Sequence, residues 1–189
     1  MSTLSVDTIQ GQTTVGDVKL PKGCILQVEQ TFYDTNTTSF VQSQGDVSLY
    51  SVNITPKFAT SKILVTIDIN VSHLDNYSAL IRCKRDSTYI GGGKIYSTNT
   101  NQFTNVWFNV RSPGGTATHA NCPLACSQSF LDSPATTSQL TYTVMGRQSG
   151  DPTGASSGIG ATINSPVSQA NNAYASSASS AITVMEIAQ

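Results

Sequence analysis

Two glycine-rich stretches carry the letters of phosphate-binding loops. Residues 153–160 read T-G-A-S-S-G-I-G. Such glycines let backbone amides approach a pyrophosphate when the loop joins a buried parallel strand to a helix N-terminus. That context is missing. The preceding residues are G-R-Q-S-G-D-P, and Pro166 interrupts any following helix. Too little chain remains for a βαβ unit. Gly91-Gly92-Gly93-Lys94 is followed by Ile95 and has no glycine at the required upstream position, so the phosphate-loop pattern fails there too. The first stretch reads as a flexible loop and the second as a turn between strands.

Acid–base, nucleophilic and metal chemistry find no framework either. His73 and His119 are the only histidines, and neither belongs to a recognisable nucleophile or metal signature. Asp68, Asp75, Asp86 and Asp132 are spread singly, whereas glycoside hydrolysis needs two facing carboxylates. Cys122 and Cys126 lack a second pair at zinc-ribbon spacing. With Cys24 and Cys83 they read as reduced thiols, each a small buried hydrophobe. Asn36, Asn53, Asn70 and Asn76 each begin an Asn-x-Ser/Thr triplet, a pattern that chance supplies in so Ser- and Thr-rich a chain. We expect no enzyme, no catalytic residues, no metal and no cofactor.

The elements that could position a binding surface are strands. Ile63, Val65, Ile67, Ile69 and Val71 occupy every second position within I-T-P-K-F-A-T-S-K-I-L-V-T-I-D-I-N-V, residues 54–71. A period of two sets all five on one face of a pleat. A helix would need its stripe every three or four residues. This run predicts the central strand of a sheet.

Around it the sequence predicts strands over 24–33, 47–54, 77–84, 88–90, 103–111, 124–131, 139–145 and 181–187, and a short one near 159–163. Residues 35–45 read as loop. Pro56 ends one strand by withdrawing a ladder donor. Asp75-Asn76, Arg85-Asp86-Ser87, Pro113-Gly114-Gly115 and Asp132-Ser133-Pro134 supply turns. No amphipathic helix stands out. Short alternating strands at regular spacing predict an all-β antiparallel sandwich or barrel.

Composition agrees. Hydrophobic residues make up 38% of the 189-residue chain and charged residues only 11%, less than half the usual charged share. Much of the remainder is Ser, Thr, Asn and Gln, so the surfaces are uncharged but rich in hydrogen-bonding groups. A net charge of -1 supplies no field to draw the chain onto phosphate, which argues against nucleic acid as a partner. The opening residues lack the basic start and apolar run of a signal peptide. No stretch approaches about 18 apolar residues, so no membrane insertion is expected.

Residues 1–22 differ from the rest. Leu4, Val6, Ile9, Val15, Val18 and Leu20 lie among Ser, Thr, Gly and Gln, a pattern with no private core. Pro21-Lys22-Gly23 marks the break to a second unit, 23–189. The opening S-T-L-S-V-D-T-I-Q-G and the turn L-P-K-G-C-I-L-Q-V resemble small structural proteins of tailed bacteriophages, notably those of aquatic bacteria. The resemblance continues through I-T-P-K-F-A-T-S-K-I-L-V, L-I-R-C-K-R-D-S-T, S-F-L-D-S-P-A-T-T-S-Q-L-T-Y-T-V and A-I-T-V-M-E-I.

That resemblance implies a virion appendage assembled in the cytoplasm of a host bacterium. An N-terminal segment, 1–22, would join other phage structural proteins. It would be followed by a jelly-roll head similar to tumour-necrosis-factor-like heads, which pack as homotrimers. A threefold axis would give Leu4, Val6 and Ile9 the apolar partners that one copy lacks. The expected role is tail-fibre-like, with non-catalytic contact to the host surface and its glycans through Tyr89, Tyr96, Asn99, Asn101, His119 and Tyr174. A capsid decoration or tail adaptor protein without receptor binding is the alternative.

Overall fold

The computed structural model describes residues 21–35, 38–40, 45–72, 78–93, 104–111, 123–149, 161–166 and 177–189. These form β1 (Ile25–Tyr33), β2 (Thr38–Phe40), β3 (Val47–Ile54), β4 (Lys62–Ser72), β5 (Ser78–Arg85) and β6 (Thr88–Ile90). They continue as β7 (Val106–Arg111), β8 (Leu124–Asp132), β9 (Leu140–Ser149), β10 (Ala161–Ile163) and β11 (Ser180–Ile187). No helix occurs among the described residues.

The alternating run is β4, and it lies at the centre of its sheet, with β11 along one side and β8 along the other. Ile63, Val65, Ile67, Ile69 and Val71 all point inward and are buried. Burying such a side chain contributes roughly 1.5–3 kcal/mol, so this strand supplies much of the core. Facing it across the core are Ala79, Ile81 and Cys83 of β5, Tyr142 and Val144 of β9, and Val52 and Ile54 of β3.

The first sheet runs β1-β11-β4-β8, with β10 and β2 extending it beyond the end of β11. The second runs β3-β9-β5, and β6 and β7 share the far side of β5. All pairings are antiparallel. Taking the eight longer strands in chain order, the first pairs with the last, the second with the seventh, the third with the sixth and the fourth with the fifth. A hairpin folded over on itself into two layers makes those pairs, and they define a jelly roll.

Two expectations need correction. Residues 35–45 are not all loop: β2 pairs with β10, and that pairing extends the first sheet past the end of β1. A three-residue strand without alternation leaves no period to detect. The strand expected over 103–111 begins only at Val106. Asn105 takes φ 59° and turns its amide Nδ2 onto the Gly91 carbonyl, 2.9 Å away. A left-handed residue cannot lie in a regular strand. Trp107 then occupies a bulge opposite the Ile81–Arg82 step and donates its indole N–H to the Ile90 carbonyl at 2.8 Å.

This corner explains Gly91 and Gly92. Both adopt positive φ, 59° and 67°. A Cβ on Gly91 would come within 2.9 Å of Trp107 and Phe130, whose rings meet edge to face, and one on Gly92 would meet the Val106 carbonyl oxygen at 2.6 Å. The glycines therefore serve packing and backbone conformation, not phosphate.

A buried carboxylate ties the ends of the chain together. Glu186 points into the core side of β11 and has no solvent exposure. Its Oε1 accepts the Lys57 and Phe58 amides at 2.8 and 3.2 Å, and its Oε2 accepts Gln27 Nε2 at 2.6 Å. Gln27 also donates to the Thr55 carbonyl, and Lys57 Nζ reaches the Leu26 carbonyl. Glu186 thus fixes β1, the turn after β3 and β11 in one place. Burial alone would raise its pKa, but the Ser61 hydroxyl, the two amides and Gln27 outweigh it, and the pKa falls below the usual glutamate range.

Two outcomes follow. Gly91→Ala should cost about 1–3 kcal/mol through strained φ and crowding against two rings, measured by urea denaturation. Because the Glu186 pKa is lower folded than unfolded, its contribution is complete above the unfolded value of about 4.3 and disappears as pH falls through the folded value. Glu186→Gln should lower stability at pH 7 by about 2 kcal/mol and flatten the acid limb of the stability–pH curve; an unchanged acid limb contradicts this role.

Candidate functional site: two outer sheet faces of unlike chemistry

With one face of every long strand turned into the core, the chemistry that the described strands offer is set by what points outward. On the first sheet the register arranges outward residues in transverse rows. Val28 of β1 lies beside Met185 of β11, Met185 beside Leu64 of β4, and Leu64 beside Leu131 of β8. The four make an apolar band across four strands. The next row is Gln30, Thr183, Thr66 and Ser129. It is hydrogen-bonded within itself: Gln30 Nε2 donates to Thr183 Oγ1, and the hydroxyls of Thr66 and Ser129 are 2.8 Å apart. Phe32 and Ile25 extend the apolar surface along β1, with 63% and 54% of their area exposed. Val28 and Leu131 are also open, at 50% and 43%. An apolar band across four strands makes this face a candidate interaction surface.

The second sheet has a polar outer face, with Tyr89 at its β6 edge. This β6 residue pairs with Lys84 of β5, Lys84 with Thr143 of β9, and Thr143 with Ser51 of β3. Hydroxyl, hydroxyl, ammonium and phenol thus form one row. Asn53 and Thr141 form the next, joined by a 2.8 Å hydrogen bond. Asp86, at φ 51° in the β5–β6 turn, accepts the Thr141 amide and donates its own to the Thr141 carbonyl. Ser51 and Asn53 are exposed, and Lys84, Tyr89, Thr141 and Thr143 are half-exposed.

Toward the other end of β5 the same face is covered. Leu80, Arg82, Val106 and Met145 point outward yet are buried. Arg82, at the boundary, donates to Asp46 Oδ2 at 2.9 Å and stacks its guanidinium 3.4 Å from the centroid of the Tyr89 ring. Lys84 Nζ lies 4.7 Å from the same centroid. The Tyr89 hydroxyl donates to Asp46, and Arg147 Nη1 stands 4.0 Å from Asp46 Oδ1. Burial and the Asp46 hydrogen bond push the Tyr89 phenol up to about 12, with Arg82 acting against them. Two cations therefore face the Asp46 carboxylate and a third lies over the Tyr89 ring, on a chain whose net charge is -1. Among the described residues no carboxylate lies within ion-pair distance of Lys84.

A second charged cluster is internal. Arg85 Nη1 bonds both Asp132 oxygens at 2.8 and 2.7 Å, and the Tyr142 hydroxyl donates to Oδ2 at 2.8 Å. It joins the two sheets through β8, β5 and β9. Burial, then the Asp132 charge, pushes the nearby Cys83 thiol up to about 12, well away from a reactive thiolate. Cys24, Cys83 and Cys126 are free thiols. Among the described residues no group of three or more His, Cys, Asp or Glu could hold a metal ion.

Of the residues singled out from sequence, Tyr89 is placed, on a strand and not in a loop. Leu4, Val6, Ile9, Tyr96, Asn99, Asn101, His119 and Tyr174 lie outside the described residues, as does the glycine-rich stretch 153–160. Sequence reading passed over Asp46, Ser51, Arg82, Lys84 and Thr143. Arg82 and Lys84 alternate with Ile81 and Cys83, a period that sets both cations on the outward face; only the pairing register shows that Tyr89 lies beside them.

No protein-family model matches the chain, and no curated protein matches it. Among solved structures, the chain is similar to one from the infectious bursal disease virus Gx strain, with a TM-score of 0.46 and 11% identity. The likeness covers 100% of this chain and 37% of the other, so this chain spans little more than a third of that relative's length.

Asp46→Asn would leave Arg82 buried without its counter-charge. A loss of about 3 kcal/mol is expected in urea denaturation, together with a downward shift of the Tyr89 phenol pKa followed by ring-carbon NMR. An undisturbed stability and titration would contradict the cluster's role.

Proposed function

We propose that the chain is a structural protein of a virus particle. It serves as a tail-fibre-like bacteriophage appendage that contributes to host-surface attachment without catalysis. The observation that carries this reading is the apolar band on the outer face of the first sheet. In a single copy Val28, Phe32 and Leu131 stand in water, while a neighbouring copy packed on that face would cover them. A jelly roll suits such a role because its face can be given over to neighbours while its core stays closed. The bacteriophage part of the reading rests on the sequence resemblance.

Three copies about one axis form the proposed assembly. Residues 1–22 hold the trimer together through Leu4, Val6 and Ile9 and join it to other phage structural proteins. Cyclic symmetry would point the polar faces of the second sheets outward in three equivalent directions. Weak single contacts to a host glycan would then be multiplied through effective concentration.

Light scattering on the full chain should give three times 20.0 kDa. Phe32→Asp and Leu131→Asp should each shift the population toward 20.0 kDa while leaving the far-ultraviolet spectrum unchanged. A wild-type mass of 20.0 kDa at every concentration would falsify the assembly. Labelled antibody that marks the head shell and spares the fibres, or purified trimer that ignores susceptible cells, would remove the attachment role and leave a decoration protein.

A further inference from the structure

We propose that the open end of the second sheet's outer face is a binding site for an acidic polysaccharide, with Lys84 taking the sugar's oxyanion. Ser51, Asn53, Thr141 and Thr143 would hydrogen-bond its hydroxyls. This rests on the attachment reading and moves the contact from loops to a sheet face.

Four observations support it. First, the row Ser51–Thr143–Lys84–Tyr89 crosses four strands as one continuous surface, fixed by backbone pairing and not by loop conformation. A site on strands is held with little ordering cost on binding. Second, its groups are hydroxyls, an amide and one cation, with no large apolar side chain among them. That suits a hydrated polyhydroxylated chain better than a protein partner, whose buried centre would call for apolar anchors.

Third, the charge balance points to an anion. Arg82 and Arg147 face the Asp46 carboxylate and Lys84 lies over the adjoining Tyr89 ring, so three cations stand against the two carboxylates of this face, Asp46 and Asp86. Arg82 is only 7% exposed, and its Nε has no hydrogen-bond partner. Because Asp46 offsets the Arg82 charge, the positive potential of this face falls to Lys84, which has no carboxylate within ion-pair distance among the described residues. Fourth, the Tyr89 ring has the Arg82 guanidinium against it, and its hydroxyl is committed to Asp46. It is therefore poorly placed to stack on a neutral sugar ring. Its contribution is to hold Arg82 and Lys84 together at the edge of the row.

The test uses the full chain, with polygalacturonate as the acidic probe and dextran of similar length as the neutral one, at low ionic strength. Polygalacturonate should bind and dextran should not, and added salt should weaken the binding. Lys84→Gln should reduce the affinity about tenfold, the effect of losing one charged hydrogen bond. Ser51→Asp, at an exposed position, should weaken it by repulsion. Melting curves confirm that each variant is folded.

Failure of wild type to bind polygalacturonate, equal binding of dextran, or undiminished affinity in folded Lys84→Gln and Ser51→Asp would each overturn the proposal. Adsorption to susceptible cells, measured in parallel, separates the two readings. Cells bound equally by wild type and Lys84→Gln sink the site and spare attachment. Polymer bound through Lys84 with cells ignored does the reverse.

Discussion

The period of two in β4 is the constraint from which the molecule follows. Five inward side chains, each exposed by 1% or less, commit that strand to a position where both its edges are paired and one face is covered. Slipping the register by one residue would bring Thr66, Asp68 and Asn70 into the core, at a cost of several kcal/mol for the unpaired polar groups. Once β4 is fixed, β8 and β11 are fixed along its edges, and the second sheet must close over the same face. Among the described residues, what is left to function is therefore displayed on two outer faces, and their residues could differ freely. One became an apolar band with a hydrogen-bonded row beside it, the other a row of hydroxyls beside gathered cations.

The scarce charges are used as fasteners. Glu186 gathers amides from β1 and the turn after β3, Asp132 joins Arg85 and Tyr142 across the two sheets, and Asp46 holds Arg82 and Tyr89 on the outer face. Each carboxylate receives donors from at least two different elements. A buried charge is tolerated only when so paired. These ties also give specificity, because an alternative strand pairing would strand a charge in the core.

How far the sequence disclosed this depends on which contacts are local. The alternation in β4, the strand over 47–54, the short strand near 163 and the turn at Asp86 are written in neighbouring residues, and they were legible. So was the two-layer all-β architecture. The strand at 38–40 was not, since it is held by its pairing with β10 alone. Glu186 shares a parity with Ile182 and Val184, a sign of its inward direction that its charge disguised. Tyr89 was recognised as a candidate, but its partners come from β5 and from the residue just ahead of β3, distant in the chain. The apolar residues of β1 posed the opposite problem. Val28 and Phe32 share a parity and read as an ordinary strand, and only the three-dimensional pairing shows that they face outward.

The central claim is that the two outer faces have different fates, one covered by copies of the chain and the other open. Hydroxyl-radical footprinting of the native protein, read by mass spectrometry at single residues, addresses it directly. Phe32 is 63% exposed in one copy, and a phenyl ring in water reacts readily. The account predicts that Phe32, with Met185 and Leu131 of the same face, is modified far more slowly than that exposure implies. Modification of Phe32 at the rate of a fully open side chain would contradict it.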